Sequence, residues 1–178
     1  MTRTLRTLLE EGIVRLAQLP AKNEISFDAL DRLAGYTVPL TIHDYGAKTP
    51  VMWNTVYEHL DLNLRNVMVV ADPEKVKTIL DTFREDPKYL GGGAAVGFKE
   101  TVIPYLDEVR PADLSAVNII VKEGQKLVGY NTDALGLYQS VADELATVGR
   151  RPEGARYVVL GAGAVAKEFC RILAQKSA

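Results

Sequence analysis

Short apolar runs alternate with well-marked helix starts, and this alternation constrains the fold more than any other feature of the chain. Val67-Met-Val-Val70 and Tyr157-Val-Val-Leu160 are four-residue apolar runs of the kind that suit strands buried on both faces. Asp72-Pro73 follows the first run, pairing a capping carboxylate with a proline at the first helical position. Thr49-Pro50 makes the same kind of start upstream. The helices expected from these starts reach about Leu60 and Arg84. Strands alternating with helices of this length predict an α/β fold, a mainly parallel sheet with flanking helices.

The remaining segments fill in around that frame. Leu5, Leu8, Leu9, Ile13 and Leu16 recur at helical spacing, so a helix is expected over 2–17, with Pro20 closing it. Ser26 is read as the N-cap of a helix through Ala34, with Gly35 as its stop. Tyr36 to Ile42 is β-rich, and Pro39 makes it an edge or irregular strand. A glycine segment, Gly91 to Gly97, reads as a flexible turn or a short strand and leads into an expected helix from Lys99 to Tyr105. Val117–Val121 and Leu127–Tyr130 read as a hairpin turning at Glu123-Gly-Gln-Lys126. A helix follows from Thr132 to Val148. The strand Tyr157–Leu160 then runs into Gly161-Ala-Gly163 and a last helix carrying Val165, Phe169 and Ile172.

Composition narrows the functional classes. The 178 residues carry 21 basic and 23 acidic side chains, so no broad field invites nucleic acid or anionic lipid. No apolar run approaches the length of a membrane span. The lone Cys170 leaves no internal disulfide, points to a reducing compartment, and is placed in the core by its helix pattern. His43 and His59 have no Cys or acidic cluster at ligand spacing, so no metal is expected. A soluble, cytoplasmic protein is expected.

Five polar positions and one turn carry the candidate chemistry. Lys99 follows the glycine segment, where partial desolvation would bring a lysine toward proton exchange near neutral pH; a solvated surface lysine is the commoner case. Asn118 sits inside an apolar strand, where an amide must find partners. Asp133 stands at a helix start, as a helix-terminal carboxylate or as something more. Lys48 and Thr49 precede Pro50 in a short polar loop. The turn Gly161-Ala162-Gly163-Ala164-Val165 follows an expected strand and opens a helix, the setting in which backbone N–H groups cradle phosphate, although glycine in a tight βα turn also serves packing alone.

Taken together, Lys99-Glu-Thr-Val-Ile-Pro-Tyr-Leu, Ala116-Val-Asn-Ile, Gly129-Tyr-Asn-Thr-Asp-Ala-Leu-Gly136 and Gly161-Ala-Gly163 resemble the shikimate dehydrogenase family in order and spacing. The resemblance runs from about Tyr36 to the C-terminus. It implies a substrate-binding domain over 36–150 and the start of an NADP-binding Rossmann domain over 151–178; residues 1–35 fall outside it and are expected to form a helical extension. It also implies NADP-linked (or NAD-linked) interconversion of 3-dehydroshikimate and shikimate, in aromatic amino acid biosynthesis. Lys99 and Asp133 would be the acid/base pair. Thr49, Lys48, Ala95, Asn118 and Asp133 would meet the substrate, and Gly161 to Val165 the cofactor.

The chain departs from the family pattern at three places. The substrate-binding Ser-x-Ser is replaced by Ala47-Lys-Thr49, the Asn-Val-Thr loop by Gly93-Ala-Ala95, and the usual Thr after the strand Asn by Ile119. With one βα unit in place of a cofactor domain, weak or no turnover by this chain alone is expected. Two other readings fit the same residues: a non-catalytic small-molecule-binding or regulatory module, and a quinate-type dehydrogenase. Exposed Val158, Val159, Leu160 and Val165 would favour homo-oligomerisation through the C-terminal end, or disorder there.

Overall fold

The computed structural model describes residues 2–19 and 21–176. A short helix, α1 (Leu5–Glu10), is followed by strand β1 (Val14–Leu16) and helix α2 (Phe27–Arg32). Strands β2 (Gly35–Thr37) and β3 (Leu40–Thr41) precede α3 (Thr49–His59). Strands β4 (Leu64–Asn66) and β5 (Val69–Ala71) precede α4 (Val76–Glu85). Then come β6 (Tyr89–Gly93), β7 (Glu108–Arg110), the hairpin β8 (Ile119–Glu123) and β9 (Lys126–Tyr130), and helices α5 (Asp133–Thr147) and α6 (Ala164–Lys176). The fold is mixed α/β. A six-stranded sheet has the order β4-β2-β6-β8-β9-β7, and a three-stranded one the order β1-β5-β3.

The two sheets arise from one pair of bent strands. β2 lies parallel to β4, and the same two stretches of chain continue as the parallel pair β3 and β5. Hydrogen bonds carry across the bend, from Val67 N to Thr37 O at 2.8 Å and from Val69 N to Pro39 O at 2.9 Å. Pro39 has no N–H to give to the other side, so the ladder parts there. Met68 N donates instead to the Asn23 side chain at 2.9 Å. The expected strand 36–42 is split at this level, and of the run 67–70 only Val69 and Val70 join β5.

β6 passes close to that bend. A Cβ on Gly92 would stand 2.1 Å from the Val38 carbonyl oxygen, so only glycine lets the two backbones meet. α4 packs its apolar face, Val76, Ile79, Leu80 and Phe83, into the main core with Tyr36, Tyr89, Val117, Ile120 and Leu127. Its outer face carries the Lys77–Asp81 pair at i,i+4.

Several expectations are corrected here. The helix expected over 2–17 ends at Glu10, because Gly12 takes φ 67° and turns the chain into β1, which pairs antiparallel with β5. Pro20, expected to close that helix, lies outside the described residues. Leu5, Leu8 and Val14 are buried in the main core, so this segment shares the core of the domain that follows. Gly35 does not stop α2 but opens β2. The helix expected at Lys99–Tyr105 is a series of turns ending in one 3-10 turn, Ile103–Tyr105. β7, flanked by charged residues, was not expected, and pairs parallel with β9.

The C-terminal end also differs. Tyr157–Leu160 forms no strand, and Val158 and Leu160 are 88% and 92% exposed. α6 does form, and packs Phe169 against Ala134 and Tyr138 of α5. Cys170 faces solvent rather than the core. Among the described residues no helix is long and apolar enough to cross a membrane.

Candidate active site

The bend between the two sheets opens a cavity of about 290 Å³. Pro39 and Met68, one from each bent strand, form part of its lining, together with Gly93 at the end of β6 and Ala94, Ala95 and Val96 beyond it. Lys99, Asn118, Ile119, Asp133, Tyr45 and Thr49 complete it. The polar groups thus stand over a largely apolar floor, the usual composition of a small-molecule site.

Three elements bring the polar groups together. Phe98, fully buried, anchors the turn that carries Lys99. Gly97 takes φ 83°, and a Cβ there would meet Ile42 Cγ2 at 2.3 Å, so the turn needs glycine. The Lys99 carbonyl accepts from Val117 N at 2.7 Å, tying the turn to the segment that enters β8. Asn118 is held by backbone bonds on both sides, from its own N to Tyr130 O at 2.9 Å and from Ala94 N to its O at 3.0 Å. Asp133 opens α5, and its N–H donates to Asn131 Oδ1 at 3.0 Å.

Lys99 Nζ donates to Asp133 Oδ2, while Asn118 Nδ2 donates to Asp133 Oδ1 at 2.6 Å. Asn118 Nδ2 also reaches Thr132 Oγ1 at 3.0 Å, and its Oδ1 accepts from Thr132 N at 3.0 Å. One carboxylate is therefore gripped at both oxygens. Side-chain exposures of 33% for Lys99 and 31% for Asp133 leave the pair accessible from the cavity. Such a pair can offer a proton to a ligand oxygen and stabilise charge that develops there.

The other expected positions divide. Thr49 and Ala95 line the cavity. Lys48 does not; it borders an adjoining apolar hollow with Gly46, Ala47, Val51 and Met52. Lys48, rather than Thr49, occupies the N-cap position of α3, with no side-chain cap bond, and Thr49 is its first helical residue. Tyr45, Pro39 and Met68 were missed. Tyr45 precedes the Ala47-Lys-Thr49 stretch by two residues, and a search for nearby hydroxyls would have found it. Burial pushes its phenol up from the ordinary value.

Residues 45–120 match the model of the shikimate dehydrogenase substrate-binding domain. The chain carries the substrate-binding domain of the shikimate dehydrogenase family. It is 33% identical over 132 residues to shikimate dehydrogenase (NADP(+)) of Halothermothrix orenii, which spans 73% of this chain and 44% of that protein. Over 134 residues it is 38% identical to the Geobacter sulfurreducens protein of the same name, with 71% and 43% covered. The chain thus spans under half the length of these curated relatives. Among solved structures, a shikimate dehydrogenase in complex with NADP+ is similar at a TM-score of 0.73 and 26% identity, over 88% of this chain and 52% of that one. Shikimate 5-dehydrogenase of Thermus thermophilus in complex with shikimate matches at 0.67 and 25%, over 79% and 52%. A 5-ketofructose reductase of Gluconobacter, at 0.70 and 23% over 83% and 52%, shares the fold.

The glycine turn makes a poor cofactor cradle on its own geometry. A Cβ at Gly161 or Gly163 would meet nothing within 4 Å; Gly161 still needs glycine for its φ of 109°, but no neighbouring wall closes on the turn. The strand that should lead into the turn is absent, although α6 begins at Ala164 as expected. Gly161, Ala162 and Gly163 are exposed. These residues alone do not enclose NADP.

Proposed function

We propose that this chain is the substrate-binding part of a shikimate dehydrogenase-like oxidoreductase that interconverts 3-dehydroshikimate and shikimate with NADP. The observation that carries the reading is the Lys99–Asp133–Asn118 constellation facing a cavity inside the family's substrate-binding domain. NADP, when bound, supplies or accepts the hydride. Lys99 Nζ holds the proton for the substrate oxygen, and Asp133 keeps the ammonium aimed at it. Asn118 fixes the carboxylate, and Thr49 offers a hydroxyl to the ligand's polar edge. A cytoplasmic setting, a substrate domain over 36–150 and a cofactor-domain start at 151–178 are part of the same reading.

Titration calorimetry with shikimate and with quinate tests it, alongside NADPH oxidation with 3-dehydroshikimate. Shikimate binding with slow or undetectable turnover is expected. Absence of binding by either acid would refute the reading. The open glycine turn favours a second one, a binding module without turnover. Saturable NADPH oxidation by this chain that depends on 3-dehydroshikimate would exclude that module. Self-association through exposed Val158 and Leu160 is a further part of the proposal. Sizing chromatography of Leu160→Ser tests it, and an unchanged elution volume refutes it.

A further inference from the structure

Residues 2–19 and 21–23 lie outside the family match, yet they reach the wall of the cavity. This N-terminal arm is anchored at its start, where Leu5 N donates to Asp86 Oδ2 at 2.9 Å. It then runs along β5 as β1. From β1 onward it makes two sets of contacts to cavity residues or their neighbours. Ala17 N donates to Met68 O at 3.0 Å. The Asn23 amide spans the same place, donating to Ala17 O at 2.7 Å and accepting from Met68 N at 2.9 Å. The second set acts on Asp44, next to Tyr45. Gln18 N donates to Asp44 Oδ1 at 2.5 Å, and Arg15 Nη1 lies 2.9 Å from Asp44 Oδ2.

Met68 and Tyr45 both line the cavity. The loop 43–48 that carries Tyr45 joins β3 to α3 and belongs to no strand or helix. Its hold on the body of the protein through Asp44 is therefore a hold on Tyr45. We propose that the N-terminal arm is a working part of the ligand site: Arg15 and Asp44 are positioning residues that keep Tyr45 at the cavity, and Asn23 does the same for Met68. Tyr45 then brings a phenol to the cavity that Thr49 also lines, where Ala47 has no hydroxyl. The role of Tyr45 toward a ligand rests on the hydroxy-acid reading of this cavity. The mechanical hold on the loop does not.

The Arg15–Asp44 pair has side-chain exposures of 54% and 29%, and ion pairs this open contribute little to global stability. Substitution at the pair thus separates positioning from folding. In the full chain, Arg15→Gln and Asp44→Asn should leave the thermal midpoint unchanged and speed amide exchange in 43–48. Shikimate affinity should fall by about three- to tenfold, the scale of one displaced hydrogen bond, and Arg15→Lys should restore it. Exchange in 43–48 equal to wild type in both variants overturns the proposal, whatever the ligand does. So does a loosened loop with undiminished affinity. A lowered midpoint with faster exchange throughout assigns the pair to general stability, and likewise overturns it. If wild type binds no shikimate, the hydroxy-acid reading falls, and exchange in 43–48 alone decides whether the arm positions the loop.

Discussion

Replacing Glu168 with Ala should loosen the hold of α6 on the body of the protein without unfolding either. Glu168 is 4% exposed and accepts from Ser115 N and Ser115 Oγ, both at 3.1 Å, and from Arg171 Nε at 2.8 Å. The Arg171 bond lies within α6 at i,i+3 and ties the helix to nothing else. Arg171 also approaches Asp113 at 3.6 Å, but Asp113 is 64% exposed and adds little. Among the polar contacts, the docking therefore rests on the two Ser115 bonds, beside the apolar packing of Phe169 on α5. Hydrogen bonds to a charged group contribute about 1.5–3 kcal/mol each, and two bonds sharing Oε1 add incompletely, so about 2–3 kcal/mol is expected. That corresponds to an increase of roughly 30- to 150-fold in the opening of α6. Native-state hydrogen exchange of the α6 amides reads this directly, with urea unfolding as the control for global stability. A rise of less than about threefold would refute the reasoning.

The same clamp has a pH signature. Burial opposes the charge on Glu168, but Arg171 and Ser115 outweigh it and hold the carboxyl below its ordinary value. A depressed pKa makes the contribution fully present above the ordinary Glu value of about 4.3 and lost as pH falls through the lower folded value. Loosening of α6 should thus set in only below about pH 4.3, and should be absent from Glu168→Gln.

Three other substitutions probe the fold and the site. Gly92→Ala places a Cβ 2.1 Å from Val38 O, so β2 and β6 must part; a loss of at least about 1–3 kcal/mol is expected in urea unfolding. Leu8→Ala should cost about 2–5 kcal/mol in the same assay, since Leu8 is fully buried in the main core; a near-neutral result would show that α1 is dispensable. Lys99→Met should weaken shikimate binding about tenfold or more by calorimetry while leaving the Asn118–Asp133 contact and the thermal midpoint intact.

Much of the architecture was legible wherever local signals and burial agree. The Val76–Ile79–Leu80–Phe83 stripe of α4 shows in the sequence. Asp72-Pro73, read as its start, caps a 3-10 turn, Pro73–Lys75, that leads into it, with Asp72 accepting from Glu74 N. The hairpin of β8 and β9 was equally plain. Failures came where tertiary pairing decides. Leu5 to Leu16 fits a helical period, yet its second half is a strand because β5 offers an edge beyond Gly12. Tyr157–Leu160 has the composition of a buried strand and no strand beside it. β7 reads Glu-Val-Arg and carries no strand signal of its own. In the site, Lys99, Asn118 and Asp133 were each ambiguous alone and legible as an ordered set. Tyr45 and Met68 were not, because their place at the cavity depends on a bend in the sheet and on an arm more than twenty residues upstream.

The Lys99–Asp133 pair also governs how a ligand arrives. They are the only charged side chains lining the cavity among the described residues, and their charges cancel. The lining offers a short dipole in place of a net positive field, and at physiological salt little of it survives beyond about 8 Å. An anionic ligand gains no long-range guidance from such a lining, so its association rate should stay nearly flat as salt is raised. Discrimination is left to what happens after encounter, and competing acids would be ranked by how long they stay rather than by how fast they come.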